Sequence, residues 1–201
     1  MTGHGVRGEV TGISLAPHAP LPDWRALAAD RSVTFASISV TENSNWVDRL
    51  AAAQLADAVQ AGVYAGIRHR GRPGAPQDQA RHVVQVGKSL GAFTPGTLAP
   101  TLDARAEGLD DRFVRTWIRT LRQEAVIRRV LVYAEVEHWH RRFRPEKWAD
   151  DDVVLWSAWH NGVPGRAGWF HPRLGLHEHT ADGRIGHHAL VYPFTLTDVL
   201  V

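Results

Sequence analysis

The chain has 201 residues, 44% of them hydrophobic, and no Pro/Ser/Gly-rich linker divides it, so one domain spanning residues 1–201 is expected to bury a full core. The absence of cysteine excludes disulfides and thiolate metal sites. Formal charge is only +2, from 23 Lys and Arg against 21 Asp and Glu, and no basic run is interleaved with aromatics, so a nucleic-acid partner is not expected; the 12 histidines predict a more positive surface in mild acid.

Residues 1–10 lack the apolar segment of a secretory leader, and nothing later approaches the ~18 uninterrupted apolar residues of a membrane span, so no membrane contact is expected. Apolar runs then alternate with helical patterns, the mark of repeated βα units and a parallel sheet. Strands are predicted at 12–16, 34–40, 63–68, 100–105, 129–135, 153–159, 175–179 and 189–194, the eight that close a barrel. Between them, helical spacing predicts a short helix at 24–29, then helices at 46–61, 77–90 and 110–124, the last with Phe113, Val114, Trp117, Ile118 and Leu121 on one stripe. After residue 159 comes a loop rich in Gly, Pro and Trp, then two strands with little helix between them. The fold class is therefore an α/β, TIM-like (β/α) barrel with its last helices reduced or missing, since full barrels need about 250 residues.

Leu98-Ala-Pro-Thr-Leu-Asp-Ala-Arg105 reads as a buried strand ending in Asp103. Side chains two apart on a strand share a face, so Arg105 is expected beside Asp103 at the strand's C-terminal end. Other stretches are suggestive in the same way. Gly12-Ile-Ser-Leu-Ala16 is followed by Asp23-Trp24, and Phe35-Ala-Ser-Ile-Ser-Val-Thr-Glu42 by Gly66-Ile-Arg-His69 and Arg72-Pro-Gly74. Further on stand Val130-Leu-Val-Tyr133 with Trp139, Leu155-Trp-Ser-Ala158, and His177-Glu-His-Thr180 with Gly183. As an ordered set from residue 10 onward these segments resemble the family 25 glycoside hydrolases, the barrel-shaped muramidases.

The resemblance implies a cleft at the strands' C-terminal ends and also that its acids are largely replaced. Ser14 stands for the first-strand aspartate, Arg105 for the fourth-strand glutamate that donates the proton, Arg68 for the third-strand tyrosine, and Tyr192 most nearly for the last-strand aspartate. Asp103 remains, with Glu42 at the end of the second strand and His69 on the third. Glycoside hydrolysis usually needs two carboxyl groups, one with a raised pKa. A guanidinium donates no proton near neutral pH and lowers the pKa of a carboxylate beside it. If the chain is active, Asp103 and Glu42 are the candidate catalytic pair, with Glu107 and Glu178 as other places for a relocated donor. Arg68 with Arg105 forms either a structural ion-pair cluster or a cradle for an anion.

Candidate substrate-binding residues are thus Ser14, Arg68, His69, Arg105, Tyr133, Trp156, Trp159, Glu178 and Tyr192, the tryptophans because an aromatic with an apolar body suits a sugar face. Trp24, Trp117 and Trp139 read as packing residues. His177 and His179 share one strand face, with Glu178 on the other and no third ligand in the motif, so no metal and no cofactor is expected. The implied partner is bacterial cell-wall glycan or peptidoglycan, together with other protein subunits if the domain is part of an assembly. Three functions stay open: a degenerate muramidase-like binding or assembly module, an active hydrolase with a relocated donor, and a structural subunit of a phage particle or similar assembly. The family's occurrence in bacteria and phages, and an Arg/Ala/Gly-rich composition suited to an actinobacterial host, imply a chain that stays cytoplasmic until lysis or is carried in a phage particle.

Overall fold

A computed structural model describes residues 10–29 and 33–201, which leaves the leader reading of residues 1–10 almost wholly outside the described residues. Eight strands form a closed barrel: β1 (Thr11–Leu15), β2 (Phe35–Glu42), β4 (Tyr64–Arg70), β5 (Thr101–Asp103), β6 (Val130–Glu135), β7 (Val153–Ala158), β8 (Leu174–Asp182) and β9 (Ile185–Leu190). A two-residue strand, β3 (Trp46–Val47), hangs antiparallel on the end of β2. Helices α1 (Trp24–Ala29), α2 (Ala51–Gln60), α3 (Pro76–Ser89), α4 (Asp111–Ala125) and α5 (Val136–Arg141) follow successive strands. Among the described residues no helix is long and apolar enough to cross a membrane.

The barrel is not wholly parallel. The sheet is parallel from β1 through β2, β4, β5, β6 and β7 to β8, but β9 returns as a hairpin and pairs antiparallel with both β8 and β1. Only two residues separate β8 from β9, too few for the crossover helix that a parallel return requires. The last strand therefore lies earlier than the apolar run at 189–194 predicts, because Gly183 at φ 57° turns the chain into it. The predicted helix at 46–61 starts five residues late. Trp46 and Val47 are taken into β3, and buried Asp48 then accepts hydrogen bonds from the backbone N–H groups of Leu50 (2.9 Å) and His18 (2.6 Å).

Two apolar layers result. Ile13, Leu15, Ile38, Ile67, Leu102, Val132 and Leu155 point outward against Val83, Val114, Trp117 and Leu121 of the helices. Phe35, Leu131, Tyr133, Val154, Trp156 and Leu176 fill the barrel interior, and Leu98 and Val199 plug its lower end. Trp24, Trp117 and Trp139 are buried packing residues. Helix α4 is started by Asp110, whose carboxylate accepts the Phe113 N–H at 2.8 Å, and Val126 in the left-handed region ends it. Loss of such a cap costs about 1 kcal/mol, so Asp110→Ala is expected to lower the unfolding free energy by about that amount in urea denaturation.

Candidate functional site

Above the apolar interior, the upper ends of the strands surround an open cavity of about 930 Å³. Its lining includes Ser14, Glu42, Arg68, Asp103, Arg105, Tyr133 and Glu178, seven of the residues singled out in the sequence. Register explains the grouping, since Arg70, Asp103, Tyr133 and Trp156 are successive partners across β4, β5, β6 and β7.

Asp103 is clamped by its neighbour. Arg105 Nε donates to Oδ1 at 3.0 Å and Nη2 to Oδ2 at 2.8 Å, while the Arg105 backbone N–H adds a third bond to Oδ1 at 3.2 Å. Burial pushes the Asp103 carboxyl upward, but these bonds, the Arg105 charge and the charge of Arg68 outweigh it and hold the group below the usual carboxylate range. Glu42 is equally committed: Oε1 accepts from Arg72 Nε at 2.6 Å and Oε2 from Arg70 Nη1 at 3.1 Å.

Glu178 is the third acid of the cavity and is almost wholly buried. Its Oε1 accepts from the Tyr133 hydroxyl at 3.0 Å and lies 2.7 Å from His160 Nε2. Burial, and then the Glu178 charge, push the Tyr133 phenol above its ordinary range, so it donates as a neutral hydroxyl. Gly186 makes room for this carboxylate, because a Cβ there would lie 2.6 Å from Glu178 Oε2 and 2.7 Å from Ser14 Oγ. Below them, His188 Nδ1 accepts from Trp156 Nε1 at 3.1 Å, which leaves its ring proton on Nε2, 3.5 Å from Glu178 Oε2. Burial lowers the His188 pKa well below the ordinary value, so the ring stays neutral.

Five of the expected site residues do not line the cavity. His69 does not face the cavity: it neighbours Arg68 on a strand, so the two point to opposite faces. The His69 ring instead hydrogen-bonds Thr41 (2.9 Å) and Gln79 (3.1 Å) and stacks on Trp117 among the helices. Tyr192 lies beyond the end of β9 and is 94% exposed, and the β9 residue paired with Ser14 is Gly186. Trp156 is buried beneath the cavity, and Trp159 lies outside it, 40% exposed with its ring close against Gly168. Glu107 is exposed on a loop away from the lining. Trp169, in the loop after β7, stacks on Trp139 and His171.

The aromatic wall of the cavity is Trp46, accompanied by His18, Arg70, Arg72, His160 and Arg184 at the rim. Helical spacing hid Trp46, and nothing in the local sequence marks the other five as neighbours. His177 bonds the Trp159 carbonyl at 2.9 Å, and Glu178 takes the opposite face, as strand alternation requires.

A closed barrel of eight strands with acids, arginines and aromatics gathered at the upper strand ends defines the class of barrel domains whose site lies at the C-terminal ends of the strands. The sequence matches the model of the family described as Glycosyl hydrolases family 25 over residues 18–187, and the chain belongs to that family. A family 25 glycosyl hydrolase from Bacillus anthracis is similar in structure, with TM-score 0.75 and 18% identity over 96% of this chain and 93% of that one. The bacterial lysozyme of Streptomyces coelicolor gives TM-score 0.70 and 20% identity, with 96% of each chain covered. The spore cortex lytic enzyme SleM of Clostridium perfringens gives 0.75 and 15%, covering 96% of this chain and 69% of that one. A comparison with curated protein sequences gives no match.

Proposed function

We propose that this domain binds peptidoglycan-type glycan in the cavity at its strand ends and does not cleave it by the family's two-carboxylate route, serving as a binding or assembly module. The observation that carries this reading is the Asp103–Arg105 clamp. A general acid must hold a proton near neutral pH, which calls for a carboxyl in an apolar or anionic setting. The position implied for the proton donor is instead a guanidinium kept charged by Asp103 itself. Glu42 spends both oxygens on arginines, so neither member of the candidate pair is placed to protonate a leaving group.

One observation favours the active-hydrolase reading: Glu178 is a buried carboxylate facing the same cavity as Asp103. The two are separated by one experiment. Purified peptidoglycan is incubated with the protein between mild acid and neutral pH, released reducing ends are measured, and binding to the insoluble wall is followed by pull-down. Retained binding without new reducing ends is the expected result. Cleavage that disappears in both Asp103→Asn and Glu178→Gln would establish a relocated acid pair, and loss of both binding and cleavage would leave the structural-subunit role.

A further inference from the structure

Eight arginines of the described residues, among them Arg70, Arg81 and Arg122, lie within ion-pair distance of a carboxylate. Three on α4 do not. Arg112, Arg115 and Arg119 are exposed, and among the described residues none of them forms an ion pair or a side-chain hydrogen bond. Their spacing of three and then four residues puts them on one stripe over about 10 Å of helix axis. Arg122 continues the stripe but is paired with Asp150 at 2.6 Å. The acids near the stripe are used otherwise: Asp110 caps the Phe113 N–H, and Asp111 accepts from the Arg144 backbone N–H and from Trp148 Nε1, each at 2.8 Å. Like charges at this spacing repel and weaken a helix, so α4 holds the stripe at a cost to its own stability.

The stripe forms one wall of an open hollow of about 780 Å³ on the helix-covered side of the barrel, closed opposite by Pro73, Gly74 and Gly108 from the loops that lead into α3 and α4. It shares no lining residue with the upper cavity. Among the described residues Asp110 is the one acid in its lining, and its one aromatic ring, Phe113, is 6% exposed. Bases and sugar faces therefore find no stacking platform. No exposed large apolar side chain lines the hollow to enter a lipid surface either. What it offers is three guanidinium forks on successive helical turns.

We infer that the α4 stripe is a binding site for a linear phosphodiester polymer of the polyol-phosphate kind, separate from the upper cavity and independent of what that cavity holds. A phosphodiester keeps two free oxygens on a tetrahedral centre, which forks from neighbouring turns can share, whereas a carboxylate presents one planar edge that a single fork fills. The stripe is longer than one phosphate group, so a ligand with several phosphates in series matches it, and a flexible polyol link lets them follow the helix.

Isothermal titration of the whole chain with poly(glycerol phosphate) tests this, against a thymidine oligonucleotide of equal phosphate count, poly-γ-glutamate of equal charge and phosphatidylglycerol vesicles. Poly(glycerol phosphate) is expected to bind most tightly, at least about threefold ahead of the oligonucleotide, whose bases gain no stacking. Its log affinity should fall with log salt concentration at a slope of about −2, as three neutralised phosphates require. Arg112→Gln, Arg115→Gln and Arg119→Gln together should lose about tenfold or more of that affinity. Arg115→Glu alone should also lose it while Tm holds or rises, because a glutamate there faces Arg112 and Arg119 at helical spacing. Removing the same charge from exposed arginines elsewhere, with Arg25→Gln, Arg49→Gln and Arg166→Gln together, should change the affinity less than about twofold, since remote surface charges are screened.

No binding of poly(glycerol phosphate), or binding that the stripe variants leave intact or the remote variant reduces equally, would overturn the site. An oligonucleotide, polyglutamate or vesicle affinity as high as that of the polymer would overturn the polyol-phosphate assignment. Pull-down on peptidoglycan stripped of phosphate polymers reads the upper cavity and is expected to be the same for the native protein and the stripe variants, so the glycan-binding reading and this site stand or fall separately. A loss there in the stripe variants would overturn the separation of the two sites.

Discussion

Replacing Arg105 with alanine is expected to lower the unfolding free energy by about 2–3 kcal/mol at pH 7, whereas Asp103→Asn is expected to cost only about 1 kcal/mol. The asymmetry follows from exposure: the Asp103 side chain is 5% accessible and that of Arg105 is 38%. Removing Arg105 strands a desolvated carboxylate, while removing the Asp103 charge leaves a guanidinium with access to water and with Glu135 at 3.9 Å. The full penalty for breaking a buried pair, about 3–5 kcal/mol, is reduced here because one partner is wet.

The effect has a pH signature. In the native protein the Asp103 pKa is lowered, so its stabilising contribution is present above the unfolded value near 3.8 and fades as pH falls through the folded value. Without Arg105, burial would dominate and raise that pKa. The stranded carboxylate then takes up a proton on mild acidification and its penalty is relieved. Urea denaturation at pH 7 and pH 4.5 should show the gap between native protein and Arg105→Ala narrowing at the lower pH. A gap that stays constant would show that the guanidinium acts through packing alone.

Acidification of the native protein from pH 7 to pH 5 is expected to cost about 2 kcal/mol through His69 alone. Burial holds the His69 pKa at about 4, while the unfolded chain protonates near 6.5. Between those values the unfolded state carries the extra proton, so stability falls as pH falls, by about 1.4 kcal/mol per unit for each such group. His188, pushed well below its ordinary value by burial, adds a loss of the same sign. The urea midpoint measured across this range should drop steeply, and His69→Gln should flatten the curve whatever its effect at pH 7. Histidines that read in the sequence as a reserve of surface charge thus include His69, His177 and His188, which are buried and held toward the neutral form.

Where the chain repeats strand and helix with ordinary periodicity, from β1 to β7, the predicted elements agree with the structure to within about five residues, although α5 goes unpredicted. The disagreements lie where tertiary pairing overrides local signal. Trp46 is apolar and correctly spaced for α2, yet antiparallel pairing with Glu42 draws it into β3 and onto the cavity wall. The polar run Gly186-His187-His188 lacks the look of a strand, and only its place between β8 and β1 makes it one. At the site, strand alternation separates Glu178 from His177 and would equally have separated Arg68 from His69. The clamp between Asp103 and Arg105 follows from their spacing even though β5 ends at Asp103. The links of Glu178 to Tyr133 and His160 join three strand ends that no local pattern connects.

The returning hairpin that seals the barrel also sets the order in which the molecule can be assembled. Thr11 is partnered with Ala189 and Leu15 with Ile185, so the first strand cannot satisfy its second edge until almost the entire chain has emerged. Contacts this distant in sequence are the slowest to form. Until then β1 and β8 remain open edges able to recruit strands from other chains. Synthesis stopped just before Ile185 would yield an unsealed sheet with a strong tendency to aggregate, although the arginines and acids of the upper cavity, Arg184 included, would already have been made.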